Sequence, residues 1–334
     1  MNNAKKFDWK NLITNNILYV CLIAMIVVIA IISPSFLSWQ VVSDILIQST
    51  PKIVLAMGLL VVIIGGNNDM TVGRLAGLAA VIAGSLAQTS DYYLKFWPNL
   101  PEMPLWVMIV VPMIVGLLIG LLSGYVVSKM KVPSFLATLG MQMIIYGADL
   151  LFINKAPNNS QPLAGYLDVF NKFGTSGIGG FSYLMITSFI VLFVTYLILN
   201  KTTLGKNIFA TGGNRDAAKV SGINVFKIDM FVFAYSGMLA GLAGAMLAAR
   251  TGSANANYGA GFELDAIASC IIGGASFAGG IGTVPGAFLG VIVFSVINYG
   301  LTFIGLLSYW QYIVKGLIII IAVALDMKKY ASKG

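Results

Sequence analysis

Apolar and polar positions along this chain fall in blocks rather than in alternation. Apolar runs cover residues 17–32, 53–64, 75–87, 106–127, 135–153, 181–199, 228–249, 264–278, 287–304 and 309–325. A helix rises 1.5 Å per residue, so about 20 residues cross a bilayer core of ~30 Å. Long unbroken runs satisfy their backbone internally as helices, whereas a barrel would need a period of two. The pattern therefore predicts an all-α, polytopic membrane protein with about ten transmembrane helices. Residues 1–334 read as a single transmembrane domain. The polar segment 1–15, with Lys5, Lys6 and Lys10, leads into the first run. Ser33-Pro34-Ser35-Phe36 follows that run in place of a small-residue cleavage site, so an uncleaved span is expected.

Composition agrees with this reading. Hydrophobic residues make up 58% of the chain and charged residues 10%, against about 25% charged in soluble domains. No stretch is left for a separate soluble unit. The absence of histidine removes imidazole zinc sites and Ser/His or Cys/His nucleophile pairs. An enzyme is not expected, and no metal. Cys21 and Cys270 sit in apolar runs and read as small hydrophobes. The formal charge of +8 is a matter of topology rather than of nucleic acid. With the N-terminus placed inside and the runs alternating, fourteen cations fall inside: Lys5, Lys6, Lys10, Arg74, Lys129, Lys131, Lys201, Lys206, Arg215, Lys219, Lys227, Lys328, Lys329 and Lys333. Only Lys52, Lys95, Lys155, Lys172 and Arg250 fall outside, and Lys315 lies within the last span. The positive-inside rule then predicts that both termini are cytoplasmic.

Three features depart from plain spans. Gly116, Gly120 and Gly124 form a small-residue ridge, as do Gly237 with Gly241 and Gly286 with Gly290, which predicts close helix packing. Residues 65–73 interrupt two runs of only 12 and 13 residues with Gly65-Gly66-Asn67-Asn68-Asp69-Met70-Thr71-Val72-Gly73. Two readings fit Asp69: a functional carboxylate within the bilayer, or a turn residue capping the next helix. Residues 279–286 form a second break that shares Gly-Gly, Thr-Val and Gly with the first, and paired interruptions point to a transport pathway.

The inside loop 200–227 holds a predicted short helix over 215–221, with Asn214 as its N-cap and Gly222 as its stop. Docking on a cytoplasmic partner and a surface helix against lipid phosphates both suit it. The outer loops 89–104 and 154–180 read either as partner-docking or as solvated connections. No Walker A loop is present: Gly205-Lys206 is followed by Asn207, and position 200 is Asn. An ATP-driven process would need another chain as its engine.

Asp69-Met70-Thr71-Val72-Gly73, the loop from Gly205-Lys206-Asn207 to Ser221-Gly222, and Glu263-Leu264-Asp265-Ala266-Ile267-Ala268 running to Gly273-Gly274 and Gly279-Gly280 carry a family resemblance. Over nearly its full length the chain resembles the permease subunits of bacterial ATP-binding-cassette importers for monosaccharides. Asn207-Ile208-Phe209-Ala210, residues 296–302, Tyr309-Trp310-Gln311-Tyr312-Ile313 and residues 322–326 narrow it toward permeases for galactose and methyl galactoside.

The resemblance implies an inner-membrane homodimer that translocates a small polar solute by alternating access. Two cytoplasmic ATPase chains would hydrolyse ATP with Mg, and an extracytoplasmic sugar-binding protein would deliver the solute. It also implies that 200–227 is the coupling loop, with Asn214, Ala217, Ala218, Ser221 and Gly222 contacting the ATPase. The translocation path is expected at Asn67, Asn68, Asp69, Thr71 and Asn298. The family commonly has one apolar residue between Gly-Gly and the Asp, where this chain has Asn67 and Asn68. Related permeases move ribose, xylose and nucleosides. From another class, an ion-coupled secondary transporter using Asp69 is the alternative.

Overall fold

A computed structural model describes residues 17–331. Lys5, Lys6, Lys10 and Lys333 lie outside the described residues, as do the side chains of Cys21, Lys328 and Lys329. The described residues form thirteen α-helices: α1 Ile17–Ile32, α2 Trp39–Ile64, α3 Val72–Leu86, α4 Leu105–Ser128, α5 Ser134–Ile153, α6 Asp168–Thr175, α7 Tyr183–Lys201, α8 Thr203–Gly213, α9 Arg215–Val220, α10 Val225–Thr251, α11 Phe262–Ile272, α12 Val284–Phe303 and α13 Ser308–Ala331. A two-residue antiparallel hairpin, β1 Gly177–Ile178 with β2 Phe181–Ser182, is the only sheet among the described residues. Each of the ten apolar runs has a helix of its own, but the run 181–199 starts in β2 and the run 264–278 continues six residues past the end of α11. Six of these helices, α2, α4, α5, α7, α10 and α12, are long and apolar enough to cross a membrane.

Burial separates the core from the rim. The most apolar windows of α2 and α10 are 83% and 78% buried, against 22% for α4 and α5. Two central helices are thus wrapped by helices whose outer faces suit lipid. The small-residue ridges explain the most extensive contact, between α4 and α10. A Cβ on Gly116 would stand 2.1 Å from the Gly237 carbonyl oxygen, and one on Gly237 would stand 2.2 Å from that of Gly116. Only paired glycines let the two backbones approach this far in the absence of a hydrophobic drive.

Helix α2 is longer than its apolar run of 53–64, because it begins at Trp39 and carries a polar first half. Pro51 lies inside it and has no N–H for the Ile47 carbonyl. The Thr50 hydroxyl donates to that oxygen instead, at 2.7 Å, so the helix runs on without an orphaned acceptor. The premise of two short arms around the first break is corrected accordingly: the first arm has 26 residues.

Both breaks are real, and they are built alike. At the end of α2, Gly66 adopts φ +75°. Its N–H reaches Ile63 O at 2.9 Å while Asn67 N–H reaches Val62 O at 3.1 Å. At the end of α11, Gly274 adopts φ +88°, its N–H reaches Ile271 O, and Ala275 N–H reaches Cys270 O, both at 2.9 Å. Each is a Schellman turn, whose left-handed position favours glycine. The second break therefore begins at Gly273, before the expected 279–286, and Val284 and Gly286 already belong to α12.

The long polar loops at one end of the bundle are ordered. Leu163 and Ala254 exchange backbone hydrogen bonds at 2.8 and 2.9 Å, and Leu167 N–H bonds Ala87 O at 2.7 Å. Phe96 stacks on Phe152, and Trp97 meets both rings edge-on.

Candidate functional site

Two polar cavities lie toward opposite ends of the bundle. The first holds about 400 Å³ between α2, α10, α11, α12 and α13, within the range typical of small-molecule pockets, ~300–1,000 Å³. Its wall on α12 is the stripe Ser295, Asn298, Tyr299 and Thr302, one helical face by its three- and four-residue spacing. Both polar atoms of the Asn298 carboxamide and the Ser295 hydroxyl are buried without a hydrogen-bond partner in the protein. Unmet donors and acceptors facing a cavity favour a hydroxylated occupant, since leaving them bare costs about 1–3 kcal/mol per group.

Two lysines on the wall of this cavity pair with Asp265, which lies beside it. Lys52 and Lys315 both reach its Oδ2, at 3.0 and 3.3 Å, and Arg250 adds a third cation to the wall. Lys315 is the cation that topology counting leaves inside a span, and intramembrane cations pair with carboxylates. That is the signal in the sequence that points to Asp265. The pairings span 50 positions for Lys315 and 213 for Lys52 and are not visible along the chain.

The second cavity, about 630 Å³, opens at the first break and is lined by Asn67, Lys131, Ser134, Arg215, Lys219 and Asp229 among others. The five residues expected on the path separate here. Asn298 lines the first cavity and Asn67 the second. Asp69 and Thr71 line neither. Asp69 Oδ1 accepts from the Thr71 N–H at 2.9 Å and from the Thr71 hydroxyl, and Oδ2 accepts from the Ser236 hydroxyl at 2.9 Å. Asp69 thus closes a turn onto Thr71 ahead of α3 and ties that turn to α10 through Ser236. Asn68 donates its N–H to Ser134 Oγ, and Met70 N–H donates to Thr138 Oγ1, each at 3.1 Å. The first turns of α5 thus supply the partners that irregular backbone needs within a bilayer.

The loop 200–227 folds as two helices, α8 and α9, where only the second was expected. Asn214 Oδ1 accepts from the N–H groups of Asp216 and Ala217 at 3.1 and 2.9 Å, and Gly222 ends the helix at φ +83°. Ala217 and Ser221 face outward, but Ala218 is buried inward. Val220 is 91% exposed, an apolar knob that the expected residue set misses. Its signal in the sequence is a β-branched residue three positions after Ala217 on the same face. At the root of α9, the Arg215 guanidinium pairs with Asp229 Oδ1, which also accepts from Asn67 Nδ2 at 2.9 Å.

Comparison with known proteins supplies the family. The model of the branched-chain amino acid transport system / permease component family matches residues 41–323. The chain belongs to this permease family. Among curated relatives, the permease is 43% identical over 320 residues to the galactose/methyl galactoside import permease of Escherichia coli K12, covering 95% of each chain. It is 42% identical to that of Haemophilus influenzae Rd, covering 100% of the permease and 99% of the relative. The ribose import permease of Escherichia coli K12 is 35% identical, covering 92% and 93%. No solved structure matches.

Proposed function

We propose that this permease is the translocation subunit of an ATP-binding-cassette importer for galactose and methyl galactoside in a bacterial inner membrane. The observation that carries the proposal is the 43% identity to a galactose/methyl galactoside import permease across 95% of both chains. The ribose relatives are more distant at 35%. An ion-coupled transporter centred on Asp69 is not favoured, because both carboxylate oxygens of Asp69 are engaged in capping and inter-helix hydrogen bonds.

In this reading the ten helices that carry the apolar runs span the membrane, and both termini are cytoplasmic. The support is the distribution of lysine and arginine along the chain. The single domain 1–334 pairs with a second copy. Partner ATPase chains bind and hydrolyse Mg-ATP, this chain holds no cofactor of its own, and a sugar-binding protein docks on the ordered loops at the outer end. Residues 200–227 form the coupling loop. Asn214, Ala217, Ser221 and Gly222 present α9 to the ATPase, Ala218 supports the helix from beneath, and Val220 enters the partner's groove. The sugar passes through the cavity at Asn298, where free carboxamide and hydroxyl groups exchange hydrogen bonds with it. Asn67, Asn68, Asp69 and Thr71 shape the inner turn that opens and closes the path.

The deciding experiment is sugar-stimulated ATP hydrolysis in liposomes that combine this chain, its ATPase and its binding protein. Galactose and methyl galactoside are expected to stimulate more strongly than ribose or a nucleoside. An assembled complex indifferent to every sugar, with the permease alone moving solute down an ion gradient, would overturn the importer reading.

A further inference from the structure

Helix α9 has six residues and must pass any displacement to the bundle through its root. There the corner between α8 and α9 touches the first break at two points. One is backbone on backbone: a Cβ on Gly212 would lie 1.8 Å from Ile64 O and 2.7 Å from Gly280 N. Gly280 N–H donates to the same Ile64 carbonyl at 2.9 Å. Both breaks and the α8–α9 corner therefore meet at Ile64. The other point is a side chain. Asp229, only 3% exposed, receives the Arg215 guanidinium and the Asn67 carboxamide on a single oxygen. Arg215 is the first residue of α9, and Asn67 lies in the turn between α2 and α3.

We infer that Asp229 is the positioning residue through which α9 sets the α2–α3 turn, with the glycine contact at Ile64 as the pivot. This rests on the reading that α9 docks on an ATPase. Because one oxygen serves both partners, a shift of Arg215 alters the hydrogen bond that holds Asn67. Asn67 leads directly into Asn68–Thr71, and Asp69 in that segment is tied to Ser236 on α10. Stability alone is a weak reason for such an arrangement. Arg215 is 37% exposed and has water available, whereas the carboxylate is held out of water at a cost that ion pairing repays only with good geometry. The pair instead fixes the register between a cytoplasmic helix and a turn deep in the bundle.

The test uses the complete complex in liposomes, reading both basal and sugar-stimulated ATP hydrolysis. Asp229→Asn is expected to leave complex yield and basal hydrolysis unchanged while the sugar-stimulated increment falls roughly tenfold, a typical coupling free energy between sites. Arg215→Lys, which keeps the charge, is expected to retain most of the increment. Gly212→Ala strikes the pivot without touching any charge and is expected to uncouple in the same way. Gly213→Ala, whose Cβ meets nothing within 4 Å, is expected to behave as wild type. Full stimulation in Asp229→Asn overturns the inference, and so does a parallel fall of basal and stimulated rates in the assembled complex. If Asp229→Asn fails to assemble, the two glycine variants decide: loss in Gly212→Ala alone supports the pivot, and equal behaviour overturns it. A wild-type complex that ignores sugar points instead to failure of the importer reading.

Discussion

Three buried carboxylates in this permease have three different surroundings. Asp69 is satisfied by Thr71 and Ser236, and Asp229 by Arg215 and Asn67. Asp149, on α5, is 1% exposed with neither oxygen hydrogen-bonded within the protein. Removing a partnered buried charge strands its donors, whereas removing an unpartnered one strands nothing. Asp69→Leu is therefore expected to cost about 1–3 kcal/mol or more, read as a lowered melting midpoint of the purified permease. Asp149→Asn is expected to leave that midpoint unchanged or to raise it. Asp69 stood out in the sequence because it interrupts an apolar region. Asp149 did not, since a lone carboxylate in a long span reads the same whether or not a distant helix supplies a partner.

At the scale of elements, the existence of the long apolar helices was legible and their ends were not. Every apolar run contributed a helix because long apolar segments in a membrane have no other way to satisfy their backbone, although the run 264–278 ends in the second break from Gly273. The polar first half of α2 was invisible as helix because Gln48 and Lys52 face a cavity rather than lipid. Helix α8 was missed for the opposite reason, being short and outside any span. The ridges Gly116–Gly124 and Gly237–Gly241 were legible from spacing alone, and they meet one another. Gly116→Val is expected to force α4 away from α10 at a cost of about 1–3 kcal/mol or more, seen as loss of the monodisperse peak in detergent. Gly140→Ala, with open space around its Cβ, is expected to be neutral or to stabilise by roughly 0.5–1 kcal/mol.

For the whole molecule, the two working ends are expected to fail separately. Val220→Asp and Ala217→Arg should abolish co-purification of the ATPase without changing the melting midpoint of the permease. Both side chains face solvent. Ala218→Arg would be uninformative here, since the buried Ala218 combines docking with folding. At the other end, Asn298→Leu is expected to reduce sugar uptake by roughly tenfold, the equivalent of one good hydrogen bond at ~1.4 kcal/mol. ATPase binding should stay intact. Of these two ends, the short helix α9 was legible through its cap and stop residues, Asn214 and Gly222. The cavity was not, apart from Asn298, because it is assembled from five helices far apart in the chain.

The loops at the proposed outer end also bear on how a delivery protein would land there. Their backbone is cross-tied at Leu163–Ala254 and Leu167–Ala87, and Phe96, Trp97 and Phe152 pack ring on ring. A surface already ordered before contact surrenders little conformational entropy on association. A sugar-loaded partner would meet a stiff platform, so the free energy of landing is not spent in organising loops. It remains available as mechanical work on the helices beneath, and the outer end can act as a lever as well as a receptor.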